Sequence, residues 1–210
     1  ELLEISRYDA GAVSADLELT DLNGVVGSAI AGLEPIATRS GCKIEIDIPN
    51  GAVEAEMDAK RIERLIVNLL SNAIKFTRRG EIRVSVSQPT ESRVRFEVTD
   101  TGVGIASDSI SKIFEPFIQI DAHKSIKQDH ALKGNGLGLA ITQSLIQSMQ
   151  GDIKVKSEVG YGSTFTVTLP LEVASQPVIH LEKLKEGTHA EKIELLLVDD
   201  HAINRLVASA

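Results

Sequence analysis

The sequence predicts one α/β domain on a mixed β-sheet, over about residues 20–170 of 210. Short segments alternating apolar and polar residues, the pattern of half-buried strands, are interspersed with two stretches of helical period, 59–77 and 137–150. Two alternating segments, 81–87 and 93–99, flank a turn near Pro89 and read as a hairpin, which argues against an all-parallel doubly wound sheet. A 42% hydrophobic share is enough to build a buried core.

The elements follow in order. Leu2, Leu3, Ile5 and Tyr8 are spaced like one face of an amphipathic helix that stops near Gly11; nothing caps it, so it reads as the tail of a longer element. Thr20 or Asp21, each a good N-cap type, starts a second helix that reaches Ser40 and Gly41. Lys43–Ile48 alternates as a strand, and a short strand around Val53–Glu56 follows. Asp58 caps the helix from Ala59 to about Thr77. Arg79-Gly80 turns the chain into Glu81–Ser87, with Ile82, Val84 and Val86 on one face. Its partner Arg93–Thr99 turns Val94, Phe96 and Val98 inward. Residues 101–135 have little periodicity, and a loop of that length in a compact domain is usually functional. The helix at Leu137–Gln150 ends at Gly151, and Ile153–Lys156 and Thr164–Leu169 are the last two strands of the domain. Residues 171–192, with Pro177 and Gly187, read as a linker, and Glu194–Val198 as a short apolar strand running into Asp199-Asp200.

Composition narrows the function. A net charge of -8 argues against bulk binding to nucleic acid or anionic lipid, which needs basic surface, yet leaves room for a small anion held by local donors. Cys42 is the only cysteine, which favours a reducing compartment, and no apolar run approaches the roughly 18–20 residues that span a bilayer. The expectation is a cytoplasmic segment whose parent could be membrane-anchored.

Three pieces carry chemistry. Asn68, Asn72 and Lys75 share one face of the 59–77 helix, beside apolar residues that leave the carboxamides in need of partners. Taken alone, the two asparagines also have a plain reading, satisfied by backbone groups at a helix–sheet seam. Asp100-Thr101-Gly102-Val103-Gly104 follows a strand directly: the Asp can accept from an exocyclic amine, and the glycines can admit a flat ligand. A turn containing Asp after a strand is the plainer reading of that piece. Gly134-Asn135-Gly136-Leu137-Gly138 opens a helix, where exposed N–H groups attract phosphate. Neither the dinucleotide G-x-G-x-x-G pattern between strand and helix nor a G-x-x-x-x-G-K-[ST] loop is present.

In this order the pieces resemble the sensor histidine kinases. Asn68–Thr77 is similar to their N box, Asp100–Gly104 to the first glycine box, Phe114-Glu115-Pro116-Phe117 to the F box and Gly134–Gly138 to the second glycine box. The resemblance covers about residues 20–170. It implies a two-layer α/β sandwich, the Bergerat or histidine-kinase ATPase fold, with a mixed sheet of about five strands, helices on one face and a lid over ATP. It further implies that Asp100 accepts from the adenine amino group, supported through water by Thr164. Asn68 and Asn72 would bring Mg²⁺ to the phosphates, Lys75 would hold phosphate charge, and Gly136 and Gly138 would expose backbone donors. Gly102, Gly104, Phe117, Gly134 and Leu137 complete the nucleotide set that the resemblance implies.

Two positions depart from the family pattern. Arg64 stands one turn before Asn68, where the family often has Glu, Gln or His. Residues 118–133 lack the family's Thr-Arg-Arg run, leaving Lys124, Lys127 and Lys133 as substitutes. Arg64, Lys75 and Lys133 are thus the catalytic candidates, and each of Arg64 and the lid lysines also has a plain reading as a solvated cation. None of the five histidines sits in the H-E-x-x-x-P context of the family's phosphoacceptor.

Domain boundaries are expected as follows: residues 1–19, the end of a second dimerisation helix and a connector; 20–171, the catalytic domain; 172–192, a linker; 193–210, the start of a receiver. There Asp199 and Asp200 would form part of a Mg²⁺ site. The resemblance implies a bacterial hybrid kinase whose partners are its own dimerisation helices and a receiver or response regulator, dimeric when whole. A degenerate nucleotide-sensing or scaffolding module and an ATP hydrolase of the same superfamily are the alternatives.

Overall fold

Five strands form one sheet in the order Lys43–Asp47, Glu81–Thr90, Arg93–Asp100, Gly162–Pro170 and Asp152–Glu158, in the computed structural model, which describes residues 15–49, 53–90, 92–119 and 136–170. These all belong to the unit Glu1–Gln176. The expected helix tail at Leu2–Tyr8, the linker and the Asp199-Asp200 segment lie outside the described residues.

The strands are β2 (Lys43–Asp47), β4 (Glu81–Thr90), β5 (Arg93–Asp100), β6 (Asp152–Glu158) and β7 (Gly162–Pro170). β2 runs parallel to β4 and every other pair is antiparallel, so the sheet is mixed as expected. Alternation sorts the side chains: Val84, Phe96, Val98, Val167 and Leu169 point into a core and are at most 2% exposed. The opposite face carries Arg83, Arg95, Glu97 and Thr166, with Thr166 Oγ1 donating to Glu97 Oε1 at 3.0 Å. β4 runs past its expected end, and its register shifts between Ser87 and Thr90. Pro89, which has no N–H for the ladder, falls in that irregularity.

Three helices cover the inner face: α1 (Leu22–Arg39), α2 (Ala59–Phe76) and α3 (Gly138–Ser148). α2 is the amphipathic one: Ile62, Leu65, Ile66, Leu69, Leu70 and Ala73 recur at helical spacing and are all buried. Asp58 caps it as expected, accepting from the Arg61 N–H at 3.1 Å, and also pairs with the Arg61 guanidinium at 3.0 Å. Asp21 caps α1 through the N–H groups of Asn23 and Gly24.

One element was not expected. β1 (Glu18–Asp21) pairs antiparallel with β3 (Glu54–Met57) in a separate two-stranded ribbon. Its residues show no clean alternation, and Leu17 and Leu19 are each 61% exposed, so pairing rather than local pattern defines it. Among the described residues no helix is long and apolar enough to cross a membrane.

Candidate functional site

The singled-out motifs meet at one end of α2. Asp100 is the last residue of β5 and shares the core-facing parity of Phe96 and Val98, so the strand delivers a carboxylate, 5% exposed, to the edge of the apolar core. Its Oδ1 accepts the Gly102 N–H at 2.8 Å, and the Ser163 N–H and hydroxyl also bond to it. Burial is the largest influence on this carboxyl and holds it above the usual aspartate range, while the three hydrogen bonds pull the other way.

That shift has a pH signature. The folded chain keeps the Asp100 proton more tightly than the unfolded chain. The group therefore favours folding most below about 3.8, its ordinary value, and that contribution is lost as pH rises through the raised folded value. Asp100→Asn is expected to flatten stability against pH in this window, measured by denaturation at a series of pH values; an unchanged slope would exclude Asp100 as its source.

The register corrects one expectation. Ser163 stands opposite Asp100, whereas Thr164 stands opposite Thr99. Period-two alternation therefore puts Thr164 on the other face of the sheet, where its hydroxyl lies 3.1 Å from that of Thr99. The support expected of Thr164 falls to Ser163, which is 7% exposed and bonds Asp100 directly. The parity of Phe165, Val167 and Leu169 was the available signal.

The glycines of the first box serve the protein's own backbone. A Cβ on Gly102 would stand 2.4 Å from the Phe76 carbonyl oxygen, and one on Gly104 would stand 2.0 Å from that of Glu158. Gly104 also has φ +70. The Val103 N–H between them donates to the Phe76 carbonyl at 3.2 Å, docking the loop on the end of α2.

Asn68 faces α3. Its Nδ2 donates to Thr142 Oγ1 at 3.3 Å, and Thr142, fully buried, donates to the Gly138 carbonyl at 2.9 Å. One turn on, Asn72 is half-buried and its carboxamide bonds to no described residue. Lys75 is half-buried, its Nζ 5.0 Å from the centre of the Phe76 ring, and no described carboxylate pairs with it. Burial holds its ammonium below the usual lysine range. A partly desolvated cation of this kind is suited to an anionic ligand. Arg64 is half-buried on the turn before Asn68.

The second glycine box is described from Gly136 onward; Lys133 and Gly134 lie outside the described residues. Gly136 accepts the Phe117 N–H at 2.9 Å, joining the F box to the start of α3. Of the two F-box rings, Phe114 packs on the core and Phe117 is 57% exposed. Leu137, the N-cap, is buried and offers no side-chain acceptor to the first N–H groups of α3. Among the described residues a Cβ on Gly138 would meet nothing within 4 Å, in contrast to Gly102 and Gly104. Thus the N box, F box and both glycine boxes are stitched together by hydrogen bonds. Along this hydrogen-bonded seam Asp100 is an acceptor beside the end of α2, while Lys75 and the start of α3 offer donors that, among the described residues, meet no carboxylate partner or side-chain cap.

The chain is similar in sequence and fold to known proteins. The family model described as "Histidine kinase-, DNA gyrase B-, and HSP90-like ATPase" matches residues 57–173, more than half of the chain. A hybrid signal transduction histidine kinase B of Dictyostelium discoideum is 43% identical over 81% of this chain and 9% of its own length. The autoinducer 2 sensor kinase/phosphatase LuxQ of Vibrio harveyi is 31% identical over 100% of this chain and 25% of its own. The crystal structure of full-length ShkA in complex with AMPPNP superposes with a TM-score of 0.73 at 32% identity, over 84% of this chain and 36% of that one. The chain thus spans about a quarter or less of the length of these curated relatives.

Proposed function

Because the chain belongs to the family of histidine kinase-, DNA gyrase B- and HSP90-like ATPases, we propose that it is the ATP-binding catalytic domain of a hybrid sensor histidine kinase. It presents Mg-ATP to a histidine of a dimerisation domain, from which the phosphoryl group passes to a receiver aspartate. The observation that carries this is the stitched seam: buried Asp100 at one end, and Asn68, Asn72, Lys75 and the uncapped α3 N-terminus at the other.

In this reading Asp100 accepts from the adenine exocyclic amine, with Ser163 and Gly102 holding the carboxylate in place. Lys75 and the backbone donors at Gly136, Leu137 and Gly138 hold phosphate charge, and exposed Phe117 covers the nucleotide. Asn68 Oδ1 and the Asn72 carboxamide are hard oxygen donors that fit Mg²⁺, which takes few protein ligands alongside phosphate oxygens and water. Bound there, Mg²⁺ would neutralise charge that builds on the phosphate oxygens during in-line transfer. Lys133 and Arg64 are the further candidates for the γ-phosphate. The acceptor imidazole is not among the five histidines here, none of which has the H-E-x-x-x-P context.

The surrounding assignments belong to the same proposal. Residues 1–19 comprise the end of the second dimerisation helix and a connector, 20–171 form the catalytic domain, 172–192 the linker and 193–210 the receiver start, where Asp199 and Asp200 contribute to a second Mg²⁺ site. The whole protein is a homodimer through its dimerisation helices, and this segment works on the cytoplasmic side.

Gly138 separates ligand from fold. No described residue opposes a Cβ there, so Gly138→Ala is expected to leave stability unchanged or raise it by up to about 1 kcal/mol, alanine being the better helix former. A methyl group among the phosphate donors is expected to weaken triphosphate binding by roughly tenfold, a change of about 1.4 kcal/mol. Melting temperature and calorimetric affinity, measured together, check both halves.

The catalytic reading is tested by incubating the chain with Mg²⁺, radiolabelled ATP and a dimerisation domain that carries the acceptor histidine. Acid-labile label on that domain is the expected result. Nucleotide binding without transfer would favour a sensing or scaffolding module. Release of free phosphate without an acceptor would favour a hydrolase.

A further inference from the structure

We propose that Thr142 is a positioning residue for the nucleotide's metal: its buried hydroxyl decides which end of the Asn68 carboxamide faces the phosphates. The inference rests on the reading of the seam as a Mg-nucleotide site and adds a residue outside the four motifs.

A threonine hydroxyl has one proton and two lone pairs. The contact to the Gly138 carbonyl is the shorter, at 2.9 Å, and a carbonyl can only accept, so the proton goes there. What remains toward Asn68 is a lone pair, which takes the Nδ2–H at 3.3 Å. An Asn68 turned by 180° would bring Oδ1 against the hydroxyl, and Oδ1 and the Gly138 carbonyl would then compete for its one proton. Thr142 is 0% exposed, so no water can relieve such a contact. Oδ1 is therefore directed away from α3, and oxygen is the donor atom that Mg²⁺ requires, whereas an amide nitrogen would repel it.

The same hydroxyl joins the two halves of the phosphate end. Asn68 belongs to α2 and Gly138 is the first residue of α3, 70 positions later in the chain. Thr142 links the carboxamide to that helix start through a single atom, so the metal ligand and the backbone donors keep a fixed relation. Valine matches threonine in shape but has no hydroxyl, and serine keeps the hydroxyl.

The test is calorimetric titration with AMPPNP and with ADP, each with and without Mg²⁺, on wild type, Thr142→Val and Thr142→Ser, with melting temperatures as the fold control. Thr142→Val is expected to cut the Mg²⁺-dependent gain in affinity about two- to tenfold, the worth of one hydrogen bond, leaving Mg²⁺-free ADP affinity unchanged. Thr142→Ser should restore the gain. An unchanged gain in Thr142→Val would overturn the proposal. So would an equal loss with and without Mg²⁺, which would mark Thr142 as structural only. If wild type binds neither nucleotide, the reading of the seam fails and this inference falls with it; if wild type binds both and only the Thr142 result is negative, that reading stands.

Discussion

Asp100→Ala is expected to weaken ADP binding by about 10- to 150-fold. The carboxylate is 5% exposed and sits at the end of β5, aimed along the core side of the sheet. A hydrogen bond to an ionised group in such a place contributes about 1.5–3 kcal/mol, which converts to that range of affinity. Adenine offers an amino donor where guanine offers a carbonyl, so a fixed acceptor also predicts strong preference for adenine nucleotides, and Asp100→Ala should erase it. Loosening of the loop is the competing explanation for any loss, because Oδ1 also holds the Gly102 N–H. Asp100→Asn controls for it: its carbonyl can keep that bond, while its amide can serve guanine. Titration of both variants with ADP and GDP separates the two. Equal weakening for both bases would point to the loop; a change in the base preference would point to the acceptor.

Gly104→Ala is expected to destabilise the domain by about 2–5 kcal/mol, the larger of the stability effects considered. The residue sits at φ +70, where an L side chain costs about 1–2 kcal/mol, and its Cβ would press on the Glu158 carbonyl oxygen at 2.0 Å. Backbone on both sides has no rotamer to yield, so the overpacking cost of about 1–3 kcal/mol adds to the strain. Denaturant unfolding with a shared m-value measures it. A loss under 1 kcal/mol would show that the β6–β7 end gives way easily. The contrast with Gly138→Ala is the useful part: one glycine is required by the fold, the other is free for a ligand.

Local chemistry made much of this legible in the sequence. Asp58 and Asp21 cap their helices because a short carboxylate before a helical run has a single profitable conformation. The α2 stripe, the β4–β5 hairpin and the mixed sheet follow from periods of 3.6 and 2, and the grouping of Asn68, Asn72 and Lys75 follows from helical geometry alone. What escaped depended on tertiary pairing. β1 exists because β3 is beside it. The first-box glycines read from sequence as room for a ligand, but Gly102 and Gly104 are occupied by Phe76 and Glu158 carbonyls that come from distant elements. Thr142 looks like one of several polar residues of α3 until α2 is packed against it. Thr164 is a different matter. The motif suggested it, yet the alternation through Phe165, Val167 and Leu169 already assigns the core side to Ser163, and one residue of register is enough to change which face a hydroxyl serves.

The central claim is that the seam between α2, α3 and the Asp100 loop binds an adenine nucleotide with Mg²⁺. Calorimetric titration of the chain with ADP and AMPPNP, with and without Mg²⁺, tests it most directly. Saturable binding of both nucleotides at one site, with AMPPNP strengthened by Mg²⁺, is the predicted result. Absence of binding, or binding indifferent to both Mg²⁺ and the removal of the Asp100 carboxylate, would contradict it.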